Sequence, residues 1–438
     1  MSSAADLGRS QAGPVVTAVA ASAPDALACI FEPFGGAGAI LKSSRDVYLK
    51  VNAVDALPYC FTDPVLVESL CRHLYSAGAR RVYVMDSATQ GNFTRLVFHT
   101  SGLARAAKRA GATPLYLDED RQVPVDIPGL GAKLHIARTI YEKLVEGGAE
   151  NTYLSVPKLK THSMSTVTLA LKNQIGLLRH ADRMPYHNDR LHEVVAGLYR
   201  LVRPDFVVVD GAVAVYHGHY PAVAAQDRSL ARLDLLLGGA DPLAVDVVGA
   251  SVLGYPLEEV EHLRLAARSG LGVGNLGSIR VLGQLPEPHR YPWELLDEFP
   301  ANVTVLEGKQ RLCQEGCRGN VLAVLQVLHL DHGIRRPYSM VMGRGHDLGE
   351  IDALKPPVMV VGECAAGEVG ERLKQRLGGK VHFVQGKNDL AGNVRFQTKL
   401  GGVNRMKLAR ANPLVALALL VRARLAGSSA RVPPVLYP

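Results

Sequence analysis

The feature that most constrains this chain is an alternation of short apolar runs with helical patterns across its first 280 residues. Val47-Tyr48-Leu49-Lys50-Val51 is β-branched and aromatic and reads as a strand. Arg81–Met85, Pro114–Asp118, Thr152–Val156, Phe206–Val209 and Leu233–Leu237 read the same way. Between them lie helical patterns. Thr62-Asp63-Pro64 opens one, with Thr as the expected N-cap, Val65, Leu66, Leu70 and Leu74 along nearly one face, and Gly78 as the stop. Others run through Leu103 and Ala107 to Gly111, over Ile140–Val145, around Thr166–Leu178, from Asn188 to Val202, and from Asp241-Pro242 to Gly254. This spacing implies βαβ units, so the expected class is α/β, a mostly parallel sheet with helices on both faces.

A chain of 438 residues is long enough for more than one domain. A break falls at Gln284–Tyr291, which holds two prolines and no periodicity. Beyond it, Val303–Leu306, Ser339–Met342, Val358–Val361 and Val381–Val384 read as strands, with helices over Asn320–Leu330 and Val369–Leu377. The expected organisation is a large α/β domain over residues 1–285, a smaller α/β domain over 286–389, and an irregular basic tail with one helix over 390–438. Pro413–Val421 is apolar but far short of the ~20 residues that span a bilayer. It reads as a buried helix or as an amphipathic helix lying on a surface. Residues 1–30 lack a basic segment followed by a long apolar run, so no secretory signal is expected and the cytoplasm is the default location.

Charge and composition narrow the function. Lys and Arg number 49 against 41 acidic residues, a net charge of +8 that suits anionic ligands without demanding nucleic acid. Aromatics are 6% and do not interleave with the basic residues, so stacking platforms are scarce and no nucleic-acid partner is expected. Six cysteines in this length exclude a disulfide scaffold. No GxxxxGK[ST] loop, GxSxG elbow or HExxH motif is present, and the glycines at 272, 274 and 277 lack the βαβ context of a dinucleotide fingerprint.

Parallel sheets bind ligands beyond the carboxyl ends of their strands. That rule selects Asn52–Cys60, Asp86–Asn92, Pro157–Ser165, Asp210–Tyr220 and Gly238–Asp241. The richest is Pro157-Lys158-Leu159-Lys160-Thr161-His162-Ser163, read as a loop leading into a helix N-terminus. It is either a competent anion site, with His162 moving protons near neutral pH, or a solvated basic loop in which His162 is a turn residue. Lys172-Asn173 follows in an otherwise apolar stretch. Lys172 either snorkels to solvent or points into a polar cavity, where lost hydration would lower its pKa and make it an acid, base or anion clamp.

Asp86-Ser87 and Asp210-Gly211 supply carboxylates or simple turns, and Asp241 reads first as a helix cap. His217-Gly218-His219 would face one side in an extended chain and could share a metal. Cys29, Cys60 and Cys71 read as buried apolar thiols. Cys313, Cys317 and Cys364 sit on glycine-rich loops of the smaller domain. They are either unrelated structural thiols or a set that could hold an iron–sulfur cluster of the 4Fe–4S type with one open iron, or a zinc or redox trio.

These residues carry a family resemblance. The run from Thr62-Asp63-Pro64 through Arg81-Val82-Tyr83-Val84-Met85-Asp86-Ser87 to Val156-Pro157-Lys158-Leu159-Lys160-Thr161-His162 resembles the family of domain of unknown function 362. So do Leu171-Lys172-Asn173-Gln174-Ile175-Gly176-Leu177, Tyr186-His187, Val209-Asp210-Gly211 and Gly239-Ala240-Asp241-Pro242. The likeness covers roughly residues 45–280 and implies little chemistry, though many relatives carry iron–sulfur modules. Two departures stand out: Lys50-Val51-Asn52 where relatives read Lys-Pro-Asn, and Val215-Tyr216-His217-Gly218-His219 where relatives carry Glu-Gly.

The expected function is an enzyme acting on a small anionic, carboxylate-bearing substrate by a lyase, isomerase or reductase step. Lys160, Lys172 and His162 are the expected catalytic groups, and Lys158, Thr161, Asn173, Asp86, Asp210 and Asp241 the substrate-binding ones. The alternative is a non-catalytic iron–sulfur or ligand-binding protein that serves as an electron carrier or partner subunit. The sequence leaves the oligomeric state open.

Overall fold

The structure is a computed structural model, and it describes residues 13–430 apart from 90, 188, 385, 387, 388 and 410. Sixteen strands form among these residues: β1 (Val15–Ala20), β2 (Asp46–Val51), β3 (Arg81–Asp86), β4 (Thr113–Tyr116), β5 (Gln122–Asp126), β6 (Lys133–Ala137), β7 (Thr152–Val156), β8 (Lys158–His162), β9 (Thr166–Thr168), β10 (Phe206–Val215), β11 (Leu230–Gly239), β12 (Arg280–Gly283), β13 (Val303–Glu307), β14 (Tyr338–Met342), β15 (Val358–Val361) and β16 (Val381–Val384). The large sheet has the order β12-β1-β11-β10-β7-β2-β3-β4, with β8 on β10 and β9 on β8. Its central strands β10, β7, β2, β3 and β4 are parallel. The α/β class is therefore as expected, with one qualification: β11 runs antiparallel to β10, and β1 antiparallel to β11.

Burial alternates across the central strands as a two-faced sheet requires. Val47, Leu49 and Val51 of β2 join Leu154 and Val156 of β7 in one core layer. Tyr48 and Tyr153 point into the other layer. Lys50 shares the Tyr48 side, so a cation is delivered to the sheet's second face just before its carboxyl edge. The chain builds β2, β3 and β4 outward in one direction and then places β7 on the other side of β2. The carboxyl ends of β2 and β7 thus flank a topological switch point, where a crevice opens.

Several local readings are corrected. Asp63, not Thr62, caps helix Pro64–Ser76, accepting from Val65 N at 2.8 Å. The Thr62 hydroxyl instead donates to Val156 O at 2.7 Å and accepts from Asn52 N at 2.8 Å, tying the β2 loop to β7. Residues 158–168 are not a loop and helix start but the β8–β9 hairpin, and helix begins only at Ala170–Asn173. The β-branched Thr166, Val167 and Thr168 suit that strand, an edge the helical spacing concealed. The helix placed from Asn188 begins at Leu191, and Asn188 itself lies outside the described residues. Strand β1, which closes the antiparallel flank, had no counterpart in the sequence reading.

The smaller sheet is a parallel β13-β14-β15-β16 array, with all four strands where the sequence placed them. Helix Leu390–Leu400 packs on it through Leu400 and Phe396, and Gln397 bonds the Tyr338 hydroxyl at 3.1 Å. The segment after residue 389 therefore begins as part of this layer rather than as an irregular tail. A second helix, Pro413–Leu425, buries Ala416, Leu420 and Ala423 beside Phe93 and Leu96 of the large domain and exposes Leu414, Leu417, Val421 and Leu425. No helix among the described residues is long and apolar enough to cross a membrane.

Candidate active site

At the switch point the loops after β2 and β3, the β8 strand and the Ala170–Asn173 helix line a cleft. Asn320 and Leu390 of the smaller domain complete its wall. Among the sequence-predicted residues, Asp86, Lys160, His162, Lys172 and Asn173 all line it. So do Lys50, Arg183, His187 and His219.

A hydrogen-bonded chain runs through the floor. Lys160 Nζ donates to Asn52 Oδ1 and Cys60 O, both at 2.8 Å. Asn52 Nδ2 donates to Asn173 Oδ1 at 3.1 Å, which also accepts from Lys50 Nζ at 3.1 Å. Lys50 Nζ then meets Asp86 Oδ1 at 2.7 Å, while Asp86 accepts backbone N–H groups of Ala53 and Ser87 at 2.6 Å each. Asn173 is thereby a spacer between two ammonium groups. Gly176 closes on this pair so tightly that a Cβ there would lie 2.4 Å from Asp86 Oδ1 and 2.7 Å from Lys50 Nζ.

The cleft carries more positive groups than one carboxylate offsets. Arg183, buried, directs its N–H groups at the carbonyls of Ser87, Ala88, Gly176 and Leu178 at 2.6–3.1 Å, fastening two loops, and burial lowers its pKa to about 10. Among the described residues neither Lys160 nor Lys172 has a carboxylate at ion-pair distance. Lost hydration lowers the Lys160 amine to about 8 and the Lys172 amine to about 7, the latter with Lys160 and Arg183 adding like-charge repulsion.

His162 sits against Lys172. Its Nδ1 accepts from Met164 N at 3.1 Å, which assigns the ring proton of the neutral imidazole to Nε2. Nε2 faces Lys172 Nζ at 3.5 Å, so the contact is favourable when that amine is uncharged. Burial, with His219 and Lys172 adding to it, pushes His162 well below its ordinary value. The His219 ring stacks on His162 at 3.8 Å and 3°. Two buried polar atoms on the cleft wall, His219 Nδ1 and Thr168 Oγ1, have no hydrogen-bond partner among the described residues. Buried groups of this kind are normally satisfied, so they mark a place for a ligand's polar atoms. Behind Lys172, Asp246 accepts from Ala170 N and Leu171 N at 2.8 Å each and fixes the helix that carries it.

Other predicted residues lie elsewhere. Lys158 pairs with Asp210 at 3.0 Å, both buried, and Asp210 also accepts from Asp63 N at 2.8 Å. The β8–β10 ladder is irregular, with Lys158 opposite Asp210 but Lys160 opposite Val215, and this break sends two lysines two residues apart to different surroundings. Thr161 donates to Pro292 O at 3.1 Å. Asp241 caps Pro242–Val252 and also accepts from Val273 N. Because β11 is antiparallel, its end lies level with Val207 at the start of β10, so Asp241 is at the opposite edge of the sheet from the cleft. His217 takes φ +58° and turns its Nδ1 to Glu294 O at 2.9 Å, separating it from His219.

In the smaller domain, Cys313 caps the turn Gln314–Arg318, its sulfur accepting from Cys317 N at 3.4 Å. A hydrogen bond from the Cys317 thiol lowers Cys313 to about 6. Among the described residues no three His, Cys, Asp or Glu side chains gather as a metal site, Cys313, Cys317 and Cys364 included. Cys29 is exposed, contrary to its reading as a packed thiol.

Sequence reading missed Lys50, Arg183 and His187 as site residues. Lys50 had a signal, a lone cation inside an otherwise apolar strand, and His187 had one in the Tyr186-His187 pair. Arg183 had none, because only tertiary packing brings the segment His180–His187 over the β3 loop.

The thylakoid-associated protein of Synechocystis sp. is 24% identical to this chain over 282 residues, covering 62% of this chain and 80% of that protein. No solved structure matches the chain. Residues 47–251, which supply every cleft residue except Asn320 and Leu390, match the model of the family described as domain of unknown function (DUF362), the family that the Lys158–His162 and Leu171–Leu177 segments resemble.

Proposed function

We propose that the cleft binds a small carboxylate-bearing anion and catalyses proton transfer on it. The observation that supports this most is the pair of buried amines, Lys160 and Lys172, that have no carboxylate partner among the described residues. A bound carboxylate replaces the hydration these amines lose and draws both into their charged forms. Lys172, with its amine lowered to about 7, stands beside the bound molecule with a proton affinity suited to exchange near neutral pH, and the buried His162 imidazole beside it stays neutral. Lys50 and Asp86 hold the floor rigid, and Arg183 keeps the flanking loops together. A lyase or isomerase step that starts by removing a proton next to a carboxylate suits this set, because the ammonium groups stabilise the charge that develops.

The test is exchange of C–H protons into deuterated water across a panel of 2-hydroxy and 2-oxo carboxylates, followed by NMR. Exchange with the wild-type chain and its loss in His162→Ala, with ligand affinity retained, is the expected result. Binding without exchange across the panel would instead support a non-catalytic ligand carrier.

A further inference from the structure

A second, partly open cavity adjoins the cationic cleft. Thr89, Tyr220, Asn320 and Leu390 line both, so the partition between them is no thicker than one side chain. The character changes across it. On the far side stand Leu57, Leu96, Ala323, Val324, Val327 and Val394. Two of the polar members there bond each other: Asp55 accepts from Asn92 Nδ2 at 3.3 Å, and also from Leu57 N at 3.0 Å. Helix Gly319–His332 of the smaller domain presents Val324 and Val327 to this space while its Leu325 and Val321 fill the core behind. An apolar chamber opening beside amines that have no carboxylate partner among the described residues is complementary to a molecule with an anionic head and an apolar tail.

We propose that the ligand of this site is an amphipathic carboxylate: its head lies over Lys160 and Lys172, and its aliphatic chain passes Tyr220 and Leu390 into the second cavity. The inference rests on the anion-binding reading above and adds the substrate's class to it. Lys172 and the head fix one end, and the tail's burial against both domains supplies the rest of the affinity. Each methylene moved from water into such a chamber raises affinity by up to about fourfold.

The experiment measures binding of straight-chain carboxylates from acetate to decanoate to the full chain by calorimetry at pH 6.5. The same series is measured with Val324→Asp and Lys172→Met, each checked for an unchanged far-UV spectrum and a melting midpoint no lower than that of the wild type. A second blocking variant, Val327→Trp, guards against misfolding of the first. The expected result is affinity that climbs with chain length in the wild type. The climb disappears in Val324→Asp and Val327→Trp, acetate binding survives in both, and binding at every length weakens in Lys172→Met. Lys172-dependent acetate binding with no gain from longer chains would overturn the amphipathic ligand and leave the anion site standing. Long chains binding wild type and Lys172→Met alike would also overturn it, as undirected apolar association. No binding at any length would overturn both readings.

Discussion

Lys158 and Lys160 lie two residues apart in one strand and are equally buried, yet they inhabit opposite electrostatic regions. Lys158 faces Asp210 at 3.0 Å, and in the cleft floor Lys50 faces Asp86 at 2.7 Å. Among the described residues, Lys160 and Lys172 bond neutral oxygens and an imidazole and have no carboxylate at ion-pair distance. A paired buried charge is part of the scaffold, and removing one partner leaves the other stranded. An unpaired buried amine is a vacancy for an anion that the protein does not supply. The distinction separates residues that hold the sheet together from residues available for chemistry, although all four are buried lysines.

The largest effect that can break this comparison is on stability. Asp210→Asn strands Lys158 and is expected to cost about 3–5 kcal/mol in urea unfolding. Lys172→Met removes an amine that has no carboxylate partner among the described residues and is expected to unfold at an equal or higher midpoint. Equal losses in the two variants would erase the difference between the regions. The next effect is on binding: Lys172→Met is expected to weaken acetate or phosphate about ten- to a hundredfold, the range of a hydrogen bond to a charged group. The double variant Lys158→Met/Asp210→Asn should bind these anions as the wild type does. Gly176→Ala sharpens the account of the floor. Its Cβ would press on the Lys50–Asp86 pair, and a stability loss of about 1–3 kcal/mol is expected from overpacking.

The smallest effect is on pH dependence. The cationic amines bind the anion, and they lose their protons as pH rises through about 7 for Lys172 and about 8 for Lys160. Anion affinity should therefore be greatest below pH 7 and fall about tenfold between pH 6 and 8, by proton linkage. A flat titration would mean that both amines stay charged.

The sequence revealed the α/β alternation because strand and helix periodicities differ so clearly. The carboxyl-edge rule then collected Asp86, Lys160 and His162, and Lys172-Asn173 stood out as polar residues in an otherwise apolar stretch. The rule misplaced Asp241 because strand direction is invisible in a pattern of apolar residues: β11 reads the same whichever way it runs. It also grouped Lys158 with Lys160, since period-two alternation puts both on one face, and the break in the β8–β10 ladder that separates them leaves no trace in composition. Arg183 entered the site through contacts with carbonyl groups, which every residue carries and no motif records.

The central claim is that the cleft's amines are partly uncharged until an anion arrives. Calorimetry of acetate binding at pH 8 in buffers of differing ionisation enthalpy measures the protons exchanged. The account predicts net proton uptake in the wild type and a reduced uptake in Lys172→Met. Binding with no uptake, or with proton release, would contradict it.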